Sequence, residues 1–184
     1  MKKIILLILI MTFIFTSILW GLKIGGRVLP DKMKVGDNEL SINGAGLRKK
    51  VVIKVYACAL YLLEKEKDAN KIIAVDEPIA VKMHFIYKAV DPAKRIEAWN
   101  TGFGKSDISN LQEEIATFNS YFTADAVKDD VYDIIYVPEV GTSVYMNNKL
   151  KGTIPGLEFK KAVFSIWLGD QTELPKLKNA MLGM

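Results

Sequence analysis

The order of apolar and polar positions predicts two strand segments early in the chain. Residues 47–63 alternate along most of their length, with Val51, Ile53 and Val55 in one row, and residues 77–90 alternate again. An apolar residue at every second position is typical of a strand that packs one face into a core. The sequence therefore predicts one long strand over residues 47–63 and another within residues 77–90.

A tight turn is predicted just before the long strand, at Asn43–Gly46. Asn-Gly pairs favour hairpin turns, and glycine adopts positive φ angles without steric cost. This turn places Arg48 at the start of the long strand. Tyr56 follows eight positions later, so in an unbroken strand both side chains lie on the same face.

Later segments have helical spacing. Asp68 and Asp91 precede helical stretches as N-caps, and apolar residues recur every three or four positions within residues 107–122 and 157–169. Between these two segments, residues 131–156 return to strand-like alternation. The mixture predicts an α+β domain, in which an antiparallel sheet carries helices packed on one face.

The N-terminal segment has the pattern of a leader. Lys2 and Lys3 precede a nearly unbroken apolar run over residues 4–22, as in secretory signal peptides. The run lacks an Ala-x-Ala site and is long enough to cross a bilayer. Residues 1–26 are therefore predicted to be a signal peptide or an N-terminal membrane anchor. Both alternatives place a single domain, residues 27–184, outside the cytoplasm, in the periplasm or at the membrane.

The charges and the ligand-forming residues argue against several partners. Without Lys2, Lys3 and Lys23 the chain has 22 basic and 21 acidic residues, which are interspersed, so nucleic acid is not an expected partner. Cys58 and His84 are the single cysteine and histidine of the chain, which argues against most metal sites. We expect no metal and no cofactor, because phosphate-binding glycine loops are also missing from the sequence.

Arg48 and Tyr56 are the candidate ligand-binding pair. A guanidinium group makes bidentate hydrogen bonds to a carboxylate, and a phenol donates one more. Leu60 and Leu62 on the same predicted face could line an apolar pocket beyond them. The alternative is that Arg48 is a solvated charge beside the two lysines that follow it. Spacing alone leaves both interpretations open.

Two segments, LSINGAGLRKKVVIKVYACALYLLE and NNKLKGTIPGLEFKKAVFSIWLGD, resemble the chalcone isomerase-like family, specifically its exported bacterial branch. The resemblance extends from about Leu29 to the C-terminus and implies an open-faced β-sandwich, a large antiparallel sheet with helices over one face. In the plant enzymes of this family, the arginine of a GAG-x-R motif orients an anionic polyphenol, whose phenolate closes a ring. Related members bind fatty acids through the arginine and a tyrosine. By this resemblance Arg48 matches the family arginine.

Other positions depart from the enzyme pattern. Tyr56 stands where the enzymes have a threonine, and Trp99 or Asn100 lies nearest to their helical asparagine, with no tyrosine on that helix. Ile166 stands near a hydroxyl residue of the penultimate helix. The resemblance thus implies a ligand-binding set of these five residues, which retains the anion anchor and lacks the network that positions a chalcone.

The expected function is binding of a small amphipathic anion, with a fatty acid as the first candidate and without authentic chalcone isomerase activity. One alternative is an intramolecular lyase, an isomerase acting on a phenolic or enone substrate. Another is a membrane-tethered interaction module that contacts the membrane through its N-terminal segment.

Overall fold

A computed structural model describes residues 21–184, so most of the predicted leader lies outside the described residues. The described chain begins with an antiparallel hairpin of β1 (Gly21–Ile24) and β2 (Arg27–Pro30). Leu29 of this hairpin is fully buried against the main sheet. Residues 21–26, which the sequence pattern had assigned to the leader, form β1 and the turn of this hairpin. Cleavage or retention of the leader stays a prediction.

The main sheet is antiparallel and contains seven strands within the described chain. They are β3 (Lys32–Val35), β4 (Asn38–Lys50), β5 (Ile53–Leu62), β6 (Ile79–Phe85), β9 (Val131–Val137), β10 (Gly141–Met146) and β11 (Lys149–Ile154). Their spatial order is β11-β10-β9-β6-β5-β4-β3. A separate short pair is formed by β7 (Ala89–Val90) and β8 (Ala126–Val127).

Five helices of the described residues pack on one face of this sheet. They are α1 (Ala69–Ala74), α2 (Pro92–Phe103), α3 (Gln112–Ser120), α4 (Leu157–Leu168) and α5 (Pro175–Met181). The carboxylates of Asp68 and Asp91 accept backbone N–H bonds at the starts of α1 and α2, as predicted. The α+β architecture with helices on one face is confirmed, although α3 begins later than the apolar spacing suggested.

The residues of β5 alternate between two cores. One set faces the helices and consists of Tyr56, Cys58, Leu60 and Leu62. The other set faces the β1–β2 hairpin and consists of Ala57, Ala59 and Tyr61. Cys58 is fully buried, and burial raises the pKa of its thiol. A strand buried on both faces explains why the segment is so continuously apolar.

The prediction of one strand over residues 47–63 was wrong. The chain reverses at Val51 and Val52, which form the two-residue turn between β4 and β5. Val51 has a φ angle of 56°, a conformation that favours glycine and is uncommon for a β-branched residue. Because valines are typical of strands and not of turns, the sequence pattern concealed the reversal.

The prediction of a turn at Asn43–Gly46 was also wrong, because this segment lies inside β4. Asn43 sits at a β-bulge, and its amide donates to the carbonyl oxygen of Met181 at 2.9 Å. A Cβ atom on Gly44 would overlap the backbone oxygen of Ala180. The glycine is therefore needed for the close approach of α5 to the sheet and not for a turn.

Lys160 on α4 is a fully buried charge that no sequence motif indicates. Its Nζ atom donates to the carbonyl oxygens of Ile72, Ile73 and Val75 at 2.8 Å each. These carbonyls belong to the C-terminal end of α1 and have no helical partners of their own there. Burial lowers the pKa of Lys160 to about 8, so the ammonium form still predominates at pH 7. The side chain thereby connects α4 to the C-terminal end of α1 through three hydrogen bonds.

Candidate ligand-binding site

A second β-bulge places Arg48 directly opposite Tyr56. Lys49 pairs with Lys54, but the next pair is Arg48 with Tyr56, so Val55 is the extra residue of the bulge. Directly opposed residues of an antiparallel pair lie on the same face of the sheet. The two candidates therefore share a face, as predicted, but across two strands and not along one.

The row continues onto the next strand. Tyr56 is paired in turn with Phe85 of β6, and their ring centroids lie 5.4 Å apart in an edge-to-face arrangement. Tyr132 of β9 packs on the other side of Phe85 with a centroid distance of 4.9 Å. A guanidinium, a phenol and an aromatic wall thus follow one another across the helix-facing side of the sheet.

A cavity of about 400 Å³ lies over this row, beside the start of α2. Its inner wall contains the buried side chains of Tyr56, Phe85 and Trp99, with Arg48 half-buried next to them. This volume falls in the range of small-molecule sites, which combine apolar walls with a few polar groups. Arg48 therefore borders a cavity and is not simply a solvated strand end.

The opening of the cavity is basic. Lys50, Lys88 and Lys94 line it and are exposed, so they mark the side that faces solvent. The lining has one acidic side chain, Asp91, which also caps α2. An anionic ligand approaching from this side would meet a favourable electrostatic potential.

The guanidinium group of Arg48 has unused hydrogen-bond donors. Its Nη1 atom donates to the carbonyl oxygen of Lys49 at 2.7 Å. Among the ion pairs of residues 21–184, none includes Arg48. A guanidinium carries five N–H donors, so most of its hydrogen-bonding capacity is available to a ligand.

Tyr56 is buried, and its Oη atom accepts a hydrogen bond from Nε1 of Trp167 at 3.3 Å. Burial is the largest influence on this phenol and raises its pKa, while Arg48 acts weakly in the opposite direction. The phenol therefore stays protonated at neutral and moderately alkaline pH. It can donate its O–H to an anion held by the neighbouring guanidinium.

Arg95 is a lining residue that the sequence prediction omitted. Its guanidinium is buried, donates to the carbonyl oxygen of Ala124 at 2.8 Å and lies over the rings of Phe122 and Tyr132. Burial lowers its pKa. Nε of Arg95 and Nε1 of Trp99 are buried without an acceptor among residues 21–184. The sequence signal that could have identified Arg95 as a lining residue is its spacing: it precedes Trp99 by four positions and so lies on the same helix face.

Ile166 reaches the same region from α4. It borders a smaller void of about 50 Å³ together with Trp99 and the arginine–tyrosine pair. Its side chain is aliphatic and buried, so it contributes contact surface and no hydrogen bond. Four of the five predicted residues are thus brought together by the fold.

Asn100 is the predicted residue that the fold does not bring to the cavity. It is exposed on α2, and its side-chain oxygen accepts a hydrogen bond from Nδ2 of Asn119 at 2.7 Å. Successive helical residues point in directions about 100° apart, so Trp99 and Asn100 cannot face the same cavity. The structure therefore selects Trp99 from the two alternatives.

Two other features are absent from residues 21–184. This part of the chain has no group of three or more His, Cys, Asp or Glu side chains arranged to hold a metal ion. It also has no helix that is both long and apolar enough to cross a membrane.

The fold and the cavity define a class of small α+β proteins with an open-faced β-sandwich and an arginine beside a largely apolar pocket. Residues 21–183 match the family model described as chalcone isomerase-like, and the chain therefore belongs to the chalcone isomerase-like family. The predicted family and fold are both confirmed.

A solved structure shows the same fold. The chain is similar to the crystal structure of a fatty-acid binding protein from Arabidopsis thaliana, with a TM-score of 0.69 and 16% sequence identity. The similarity covers 85% of this chain and 92% of that chain. Among curated protein sequences, none matches this chain.

Proposed function

We propose that this protein binds a fatty acid or a similar amphipathic carboxylate, with the head group held by Arg48 and Tyr56. The observation that carries the proposal is their cross-strand pairing beside the cavity, with most of the guanidinium donors unused. A carboxylate can accept two bonds from the guanidinium and one from the phenol. The family relationship and the fatty-acid binding neighbour support this choice of ligand.

The apolar part of such a ligand would lie against the remaining walls of the cavity. Phe85, Val90 and Trp99 line it, together with the methyl groups of Val55 and Ala98. Transfer of each CH₂ group out of water contributes about 0.8 kcal/mol. An alkyl chain therefore gains affinity from the cavity in proportion to the length that it buries, and the polar pair fixes its orientation.

The geometry gives less support to the lyase alternative. Ile166 offers no hydrogen bond, and Asn100 is directed towards Asn119 on the outside of the helix layer. The groups that would position the reacting ketone are therefore missing from the candidate site. We expect naringenin chalcone incubated with the protein to cyclise at its spontaneous rate, and a rate that rises with protein concentration would favour the enzyme instead.

Calorimetric titration with dodecanoate tests the binding site. Arg48→Ala should weaken binding by about 1.5–3 kcal/mol, because a charge-assisted hydrogen-bonding group is lost. Lys34→Ala is the matched control: it also removes one positive charge from a strand of the sheet, but Lys34 is exposed and does not line the cavity. Equal affinities for the two variants would contradict the proposed anchor.

A second experiment identifies the ligand. The protein is purified without removal of lipids, denatured and analysed by mass spectrometry. We expect a fatty acid in near-stoichiometric amount from the wild-type protein and a clear loss from Arg48→Ala. The proposal fails if the wild-type protein carries no acid and dodecanoate gives neither heat nor a thermal shift.

We also propose that the protein acts outside the cytoplasm, as a member of an exported bacterial branch of the family. The support is the pair Lys2 and Lys3 followed by the apolar run over residues 4–22. Release of the protein by osmotic shock would indicate cleavage of this leader, and retention in carbonate-washed membranes would indicate an anchor, as the interaction-module alternative requires. Recovery from the cytoplasm in unprocessed form would contradict export.

A further inference from the structure

The tip of the β4–β5 hairpin, residues 49–54, exposes apolar side chains to water. Val51 is 91% exposed and Val52 is 84% exposed, and Ile53 beside them is also exposed. They are consecutive and project from a two-residue turn, whereas single exposed apolar residues are common and need no explanation. The exposed valines make no contribution to either core of the described domain.

The turn itself does not explain the valines. Val51 occupies the first turn position with a φ of 56°, where glycine is the usual residue of a two-residue hairpin. Positive φ angles in non-glycine residues are strained and concentrate at functional positions. Neither packing nor local backbone geometry therefore accounts for a valine at the most exposed point of the hairpin.

Lysines surround these valines on both strands. Lys49 and Lys50 precede them, Lys54 follows them, and all three are exposed. The sequence has no acidic residue between Leu47 and Leu63, so nothing on the hairpin neutralises these charges locally. The tip thus combines a small exposed apolar surface with positively charged side chains on both sides of it.

We propose that this tip docks on an anionic lipid bilayer, with Val51 and Val52 inserted among the lipids and the lysines at the phosphate level. Lysines extend their ammonium groups to the interface while their methylene stems lie along apolar material. Each lysine near an anionic leaflet adds to the attraction. Val51 and Val52 project from the turn and do not line the ligand cavity, which suits a bilayer better than a shaped protein partner.

The same end of the molecule carries the opening of the ligand cavity. Lys50 and Ile53 belong both to the tip and to the cavity lining, and Lys88 and Lys94 are exposed at that opening. Docking by the tip therefore turns the opening towards the bilayer, where amphipathic acids reside. This contact is separate from any contact made by the N-terminal segment, and it does not depend on the identity of the ligand.

A label placed on the tip tests the proposal. Vesicle binding by itself would not, because the N-terminal segment alone could hold the full chain on a vesicle. The full-length protein carrying Val52→Cys is coupled to an environment-sensitive fluorophore. Val140→Cys is the matched control, since Val140 is 56% exposed next to Glu139 at the β9–β10 turn. Cys58 is buried and stays in place.

We expect a blue shift and gain of emission at position 52 with phosphatidylcholine vesicles that contain phosphatidylglycerol, and no change at position 140. Quenchers attached to the lipid chains should reduce emission at position 52 only. Lys49→Gln/Lys50→Gln/Lys54→Gln should abolish the response, and raised salt should weaken it. The control Lys34→Gln/Lys149→Gln/Lys151→Gln removes the same charge from exposed positions outside the tip and should leave the response intact.

Several outcomes would overturn the proposal. These are an unchanged emission at position 52, the same response at positions 52 and 140, or equal responses to neutral and anionic vesicles. A tip that self-associates without lipid, seen as a dimer that Val51→Ser/Val52→Ser dissociates, would assign the surface to a second copy of the chain. Dodecanoate binding is measured in parallel without vesicles. Tip insertion in a protein that does not bind dodecanoate would refute the proposed ligand alone. Dodecanoate binding without tip insertion would refute docking alone.

Discussion

The two ends of the β4–β5 hairpin differ in packing, charge and backbone geometry. At the packed end, near Asn43 and Leu62, glycines allow the close approach of α5 to the sheet, and Asn43 donates two hydrogen bonds to backbone carbonyl oxygens. At the exposed end, residues 49–54, valines face water, lysines cluster and Val51 has a positive φ angle. The packed end follows the rules that stabilise a fold, whereas the exposed end breaks several of them. Function is therefore expected at the exposed end.

The largest effect is predicted at the packed end, for Gly44→Val. A Cβ atom there overlaps the backbone oxygen of Ala180, and backbone cannot move aside as a side-chain tip can. We expect the free energy of unfolding, measured in urea, to fall by about 3 kcal/mol. Gly104→Ala is the control, because Gly104 has helical φ and ψ and a Cβ atom there makes no overlap. Equal stability of both variants would contradict close packing of α5.

The second prediction concerns Lys160→Met, which removes the ammonium group that holds the end of α1. Three carbonyl oxygens lose their donor, one of them buried and two partly buried, and we expect a loss of about 2–3 kcal/mol in the free energy of unfolding. Lys161→Met is the matched control on the same helix, since within residues 21–184 the ammonium group of Lys161 pairs with Glu158 near the surface. Faster hydrogen exchange in α1 should accompany the loss. A variant as stable as Lys161→Met would show that water can replace the ammonium.

At the boundary between the two ends, Tyr56→Phe should weaken ligand binding. The phenol also accepts a long hydrogen bond from the buried Nε1 of Trp167 at 3.3 Å, and loss of this acceptor should lower the free energy of unfolding by about 1 kcal/mol. Dodecanoate affinity should fall by about 1 kcal/mol, because one donor to the carboxylate is lost. An affinity equal to that of the wild-type protein would remove Tyr56 from the site.

The raised pKa of Tyr56 predicts how ligand binding and stability should change with pH. Burial raises the pKa of Tyr56 in the folded protein above that of an unfolded tyrosine, so between pH 7 and 9 ionisation of Tyr56 should not weaken binding. Above the unfolded value, near pH 10, the unfolded state releases a proton that the native state retains. Stability should therefore decline there, and Tyr56→Phe should decline less steeply in urea titrations at successive pH values.

The smallest effect is predicted for Val51→Gly at the exposed end. Glycine adopts the observed φ without strain but loses more chain entropy on folding. The net result should be a gain of about 0.5 kcal/mol in the free energy of unfolding, while the lipid response of the tip should weaken. Val52→Gly is the comparison, because Val52 does not have a positive φ angle. A loss of stability for Val51→Gly would mean that the valine stabilises the hairpin.

Local sequence signals predicted the elements that depend on local physics. Asp68 and Asp91 were recognised as helix caps because a capping carboxylate acts on the next few residues of the same chain. The strands after residue 131 were recognised from their alternation. The same rules failed at Val51, since a turn built from strand-forming residues has no compositional signal, and at Gly44, whose partner α5 lies far along the chain.

The sequence by itself determined the chemistry of the candidate site: an arginine with a tyrosine close behind it in an apolar segment, in a chain of the chalcone isomerase-like family. Only the tertiary structure decided how these groups meet. The extra residue in the β4–β5 hairpin pairs Arg48 with Tyr56, and helical rotation directs Trp99 inward and Asn100 outward. Register and helix orientation are set by contacts between residues distant in the chain, and a local pattern of apolar and polar positions does not contain them.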